Sequence, residues 1–319
     1  MASPDGRTQP RSVFVGIQYG SFCAVQTYNK LMKRVLLFLA TNLLVGALLF
    51  AVTSALGLRG WADSRGINYT MLMISSVIYG FAGAFISLGL SRIIAKWMMG
   101  IKLVSPTEYG PFGQVARDVQ MLAERAGLPA TPEVGIYESD EMNAFATGPT
   151  QRRSLVAVST GLLANMPPEE VRAVLAHEIA HIKNGDMVTM TLLQGVINSF
   201  AIFLARIIAW AASNVVDSKL SGIVYFVVNI ALQLLFTFLG SFITMAFSRA
   251  REFRADAGAA DLVGAAPMAS ALNTLKLKYQ PLDAQNGLQT AKIADNSGLF
   301  KLLASHPPLE DRIAALRSR

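Results

Sequence analysis

Charge and cysteine are what this sequence has least of. Only 15% of its 319 residues are charged, against roughly 25% in an ordinary globular domain. Cys23 is the single cysteine, which excludes an intrachain disulfide and any cysteine-based metal cluster. No stretch interleaves basic residues with aromatics, so the net charge of +7 does not argue for a nucleic-acid partner. No apolar run precedes Lys30, so residues 1–31 do not read as a signal peptide. They read as a disordered N-terminal extension or a misplaced start ahead of Met32. What fills the gap left by charge is apolar: 52% of the residues are hydrophobic, which fits a membrane protein.

The apolar residues gather into four runs, at 35–58, 69–90, 187–205 and 220–247. A helix needs about 20 such residues to cross the hydrocarbon core, so each is expected to span. The third carries Thr189, Thr191, Gln194 and Asn198, and its other reading is a buried helix of a soluble domain. Arg206, close to Trp210, stands where it could snorkel to an interface. Basic residues set the orientation. Lys30, Lys33 and Arg34 precede the first run, Arg92, Lys96 and Lys102 follow the second, and Arg249, Arg251 and Arg254 follow the fourth. The opposite loops hold mainly Arg59, Arg65 and Lys219, so both termini and the polar segments are expected in the cytoplasm. The expected organisation is a first hairpin (32–102), a polar domain in two parts (103–186 and 248–319) and a second hairpin between them (187–247).

Two of only three histidines, His177 and His181, are four residues apart in a run with helical apolar spacing at Val171, Val174, Leu175, Ile179 and Ile182. Pro167 and Pro168 with Glu169 and Glu170 suit the start of that helix, and Asn184-Gly185 suits its end. Four residues is about one turn, so both imidazoles leave one face and can share a metal. Glu178 follows the first histidine and lies about 100° around the helix, where it reaches a metal-bound water without being a ligand. This is the H-E-x-x-H arrangement, in which zinc lowers the pKa of its water to about 7 and the glutamate takes the proton.

Upstream, residues 112–126 read as an amphipathic helix closed by Gly127 and Pro129, and 132–137 and 154–159 as short strands. Residues 142–148 read as a strand near the metal helix, giving a small sheet beside it. A third ligand is sought downstream, in the run from Ser248 to Asp256. Two crossings separate His181 from Glu252, so both end on one side of the bilayer, and Glu252 becomes the third ligand of one zinc per subunit. Asp256, four residues on, shares its helix face and could hold a ligand imidazole. The competing reading of Glu252 is a surface carboxylate paired with Arg249, Arg251 or Arg254.

His177-Glu178-Ile179-Ala180-His181, then Asn184-Gly185-Asp186, then the two-span hairpin and Glu252-Phe253-Arg254-Ala255-Asp256, resemble the HtpX membrane zinc endopeptidases, relatives of the CAAX prenyl proteases. Asn143-Ala144-Phe145-Ala146-Thr147-Gly148 and the run from Ser305 to Arg312 resemble that family too. The resemblance covers residue 32 to the end. It implies a mainly α membrane protein with four transmembrane helices and a cytoplasmic zincin-type (gluzincin) α+β metalloprotease domain carrying a small β-sheet. It implies a multi-pass protein of the bacterial inner membrane that cleaves misfolded or damaged membrane proteins, as part of the stress response and protein quality control. His177, His181 and Glu252 would be the ligands and Glu178 the general base. Asp186 would join Asp256 in supporting the ligands, and Asn143 to Thr147 would bind substrate backbone by strand addition. His306 would help stabilise the oxyanion, whereas Arg312 reads as an ion-pairing residue. Two alternatives remain open: a CAAX-type enzyme of narrow specificity, and a non-proteolytic membrane chaperone with a structural metal. Unfolded polypeptides and the bilayer are the expected partners, with oligomers possible.

Overall fold

The computed structural model describes residues 69–279 and 306–319. The N-terminal extension and the first predicted span, 35–58, lie outside the described residues. In chain order come helix α1 (Tyr69–Met99), strand β1 (Lys102–Leu103), helix α2 (Gly110–Ala126) and strands β2 (Glu133–Tyr137), β3 (Ala144–Thr150) and β4 (Arg153–Ser159). Helices α3 (Thr160–Asn165), α4 (Pro168–Asn184), α5 (Asp186–Ser213), α6 (Ser218–Val263), α7 (Ala265–Tyr279) and α8 (Leu309–Arg317) complete them.

Three of these helices are long and apolar enough to cross a membrane: α1 from Ile74, α5 and α6. They are longer than the uncharged runs that announce them. The second run stops at Leu90, yet α1 continues to Met99. Its last turns carry Lys96 and Arg92, whose side chains reach Glu133 of β2 at 2.7 and 3.5 Å and tie the helix end to the sheet. α5 runs through Arg206, whose guanidinium turns toward α1, donating to Ser75 Oγ at 3.2 Å and covering the Tyr79 ring at 5.0 Å. α6 is the largest departure. The apolar run ends at Phe247, but the helix continues unbroken to Val263, 46 residues in all and about 69 Å at 1.5 Å per residue. Nothing between Ser248 and Val263 breaks a helix except Gly258, which costs only about 1 kcal/mol. Gly264, at φ +94, ends it.

The sheet order is β1-β2-β4-β3, with β2 and β4 parallel and the two outer pairs antiparallel. β4 is buried from Ser154 to Ser159. β3, at the edge, has one paired side only. The sheet, α2 and α4 share one hydrophobic core that includes Leu122, Val156, Val158, Leu175, Ile179 and Ile182. Full burial of each such side chain is worth about 1.5–3 kcal/mol. This core fixes the face of α4 opposite its histidines.

Candidate metal centre

Helix α4 begins as its composition demands. Pro168 stands in the first turn, where a missing N–H costs nothing, and Glu169 and Glu170 meet the positive helix end. At the other end Gly185 takes φ +68 and donates its N–H to the carbonyls of His181 and Ile182. A side chain there would oppose the left-handed conformation, so glycine turns the chain directly from α4 into the span-length α5.

On α4, His177 and His181 are both buried and their rings meet edge to face, 4.6 Å between centroids. Their Nε2 atoms are 3.1 Å apart. Glu252 arrives from α6, its side chain only 1% exposed, with Oε2 3.4 Å from His177 Nε2 and Oε1 3.4 Å from His181 Nε2. The surface-glutamate reading of this residue is therefore wrong: Arg251 Nε is no closer than 4.0 Å. Neither Glu252 oxygen accepts a hydrogen bond of good geometry, although both are buried. Two ring nitrogens and a buried carboxylate thus converge on one point, an arrangement that a cation among them would satisfy. Nitrogen and oxygen ligands at 2.0–2.2 Å from a tetrahedral ion lie roughly 3.3–3.5 Å from one another. The three residues fit a metal ion by donor type and by spacing.

Each imidazole has a carboxylate behind it, hydrogen-bonded at His181 and in ion-pair contact at His177, and each carboxylate has an arginine. His181 Nδ1 is 2.6 Å from Asp186 Oδ2, and Asp186 Oδ1 accepts from Arg254 Nη2 at 2.9 Å. His177 Nδ1 is 2.9 Å from Asp256 Oδ1. Asp256 in turn accepts two bonds from the Arg312 fork, Nε to Oδ2 at 2.7 Å and Nη2 to Oδ1 at 2.6 Å. A carboxylate at Nδ1 favours a proton there and leaves the Nε2 lone pair facing the centre. Burial alone would lower both histidine pKa values, but the carboxylates outweigh it. His181, beside Asp186 and Glu252, is pushed up to about 9, and His177, beside Asp256 and Glu252, is also raised. Metal uptake by such a pair releases protons.

Glu178 is half-buried and so keeps a path to solvent that the flanking imidazoles lack. His306, on the approach to α8, is 59% exposed and places Nδ1 2.9 Å from Glu252 Oε2. Arg312 is 5% exposed, with Nη1 3.2 Å from Glu252 Oε2. Among the residues expected for substrate, Ala144 to Thr147 lie on the edge strand β3 and pair with β4. Asn143 stands just outside the strand, held through Ser159, whose Oγ accepts its N–H at 3.0 Å and whose N–H reaches its carbonyl at 2.9 Å.

Sequence reasoning missed the part played by Arg254, which it counted among the orienting basic residues and the possible partners of Glu252. Spacing carried the signal: residues two apart on a helix point to opposite sides. It also missed Gly258. A Cβ built there would lie 2.9 Å from the Ala180 Cβ, so a small residue lets α6 press Glu252 and Asp256 against the histidine helix. Gly258→Val is expected to cost about 1–3 kcal/mol by overpacking and to lower metal retained after dialysis. Gly222→Val, where nothing lies within 4 Å, is expected to leave retention unchanged.

The profile described as peptidase family M48 matches residues 110–319. The chain is 47% identical over 298 residues to a Protease HtpX homolog of Bacillus velezensis, covering 90% of this chain and 99% of that one. It is 46% identical over 297 residues to the homolog of Bacillus subtilis, with the same coverage, and 47% identical over 287 residues to Protease HtpX of Pasteurella multocida, covering 90% and 98%. Among solved structures it is similar to S. mikatae Ste24p, with a TM-score of 0.57 and 22% identity, over 88% of this chain and 66% of that one. At that identity the likeness speaks for the fold.

Proposed function

Peptidase family M48 is the family to which this chain belongs, and on that premise we propose that its membrane metalloendopeptidase activity runs on zinc held by His177, His181 and Glu252. The enzyme class follows from the family; the metal and the residue roles are our reading. The observation that carries it is the convergence of two Nε2 atoms and an unsatisfied buried carboxylate within 3.4 Å. A purely structural site would close with a fourth side chain. The non-enzymatic alternative falls with family membership.

Zinc there would polarise the scissile carbonyl and acidify the attacking water. Glu178, beside the centre and open to solvent, takes the proton of that water and passes it to the leaving amine. Asp186 and Asp256 keep both imidazoles in the liganding tautomer. His306, on the exposed side, donates to the developing oxyanion. The free edge of β3 binds an extended substrate by main-chain hydrogen bonds, which makes cleavage tolerant of side-chain sequence.

The same reading places four spans in the chain, the first at 35–58, and the catalytic part in the cytoplasm under a bacterial inner membrane. His181 lies five residues before α5 begins and Glu252 five after the apolar run of α6 ends. At 1.5 Å per residue the centre then sits within about 10 Å of the lipid boundary. Damaged or misassembled membrane proteins are the substrates such a position favours, since their polar segments emerge beside it. Digestion of casein by detergent-purified full-length protein tests the core of this. Activity is expected to vanish with a chelator and return on adding zinc; digestion indifferent to chelation overturns the metal reading.

A further inference from the structure

A pocket of about 420 Å³ lies at the α4–α5 junction, and neither His177 nor His181 lines it. Ile182, Met187 and Val188 line it from the two helices, and the β3–β4 turn lines it through Gln151 and Arg152. Gln151 Nε2 fastens that turn to the C-terminal end of α4 by donating to the Lys183 carbonyl at 2.7 Å. Arg152, the neighbouring Arg153 and Lys183 are all exposed, and none makes an ion pair among the described residues. None of the pocket's lining residues is acidic. Met187 and Val188 belong to the first turn of α5, one of the helices long and apolar enough to span, and β3 packs against both α1 and α5.

We propose that this pocket, lined by Arg152 and flanked in sequence by Arg153 and Lys183, binds an anionic phospholipid. The inference rests on α5 crossing the bilayer and not on the catalytic reading. Apolar lining where a span-length helix begins suits an acyl chain, and cations next to it suit a headgroup phosphate. Charge complementarity favours an anionic ligand, because Arg152 lines the pocket, Arg153 and Lys183 adjoin its lining residues in sequence, and none of the three has an ion-pair partner among the described residues. Each cation near an anionic surface contributes about fivefold in binding. Such a lipid would also hold the β3–β4 hairpin, and so the edge strand, at a fixed height above the membrane.

Native mass spectrometry of full-length Glu178→Gln protein in detergent tests this without any catalysis. The protein is titrated with phosphatidylglycerol, with phosphatidylcholine of the same chains, and with glycerol 3-phosphate. Retention of phosphatidylglycerol roughly tenfold or more above phosphatidylcholine is expected, with glycerol 3-phosphate unable to compete. Arg152→Ala/Arg153→Ala/Lys183→Ala is expected to lose the preference by roughly a hundredfold at most. Val188→Trp, which takes up space in the apolar lining and keeps the charges, is expected to lower retention of both lipids. Lys278→Ala, on α7, should change nothing. Equal retention of the two lipids, an undiminished triple variant, or glycerol 3-phosphate competing at lipid-like affinity overturns the proposal. So does a triple variant that keeps its lipid but shows, in the active background, a raised KM for casein, which makes the pocket a substrate subsite.

Discussion

Glu178→Gln protein is expected to keep its full metal content and to digest casein about 10²–10⁴ times more slowly than the parent, the span general-base catalysis contributes. The two properties separate because of where the residue stands. Glu178 follows His177 on α4 but lies about 100° around the helix, so its carboxylate flanks the liganding face without joining it. Glutamine preserves size and packing while losing the ability to accept a proton. His177→Ala removes a proposed ligand and leaves the Glu252 and Asp256 carboxylates facing a void, so it is expected to lose metal and activity together. Metal content by mass spectrometry and casein digestion, measured on the same preparations, check both. Parental rates in Glu178→Gln would remove it as the base, and metal loss in that variant would make it a ligand.

How much of this was legible beforehand depends on what kind of signal each feature leaves. The metal helix was readable to within a residue, because Pro168, Glu169 and Gly185 mark its ends and its apolar period is unbroken. The return of Glu252 to the histidines followed from counting crossings, which requires only that α5 and α6 form a hairpin. The strands β2 and β4 fell within a residue of their alternating runs, and β3 shifted by two. The length of α6 was not readable. Hydropathy reports what surrounds a helix, and it changes at Phe247, whereas helix propensity does not change there at all. β1, two residues long, is too short to leave a period. Neither the sheet order nor the pocket at the α4–α5 junction has any local signature, since both are made by segments that meet only in the folded chain. Arg312 was read as an ion-pairing residue, but its partners lie on another helix 56 residues away and no spacing rule reaches them.

Those partners make Arg312 the residue whose loss should cost the fold most. The residue is 5% exposed, and its guanidinium grips Asp256 with two bonds and passes 3.2 Å from Glu252. Burial would lower its pKa, but Asp256 and Glu252 raise it further, so it stays charged throughout the working range. Arg312→Met fills much the same volume and leaves two buried carboxylates with one positive partner fewer. Breaking a buried pair from one side costs about 3–5 kcal/mol, against the 0–1 kcal/mol expected for Arg254, whose ion pair with Asp186 is half exposed. Arg312→Lys keeps the charge but not the fork, so it should recover only part of the loss. Asp256→Asn/Arg312→Met, which removes the stranded charge as well, should be less destabilised than Arg312→Met alone. Denaturant unfolding of the parent and these three variants, with and without zinc, measures this. The metal supplies the missing positive charge beside Glu252, so the deficit of Arg312→Met should narrow when zinc is present, and an equal deficit in both conditions would mean that Arg312 acts on the fold alone and not through the metal site.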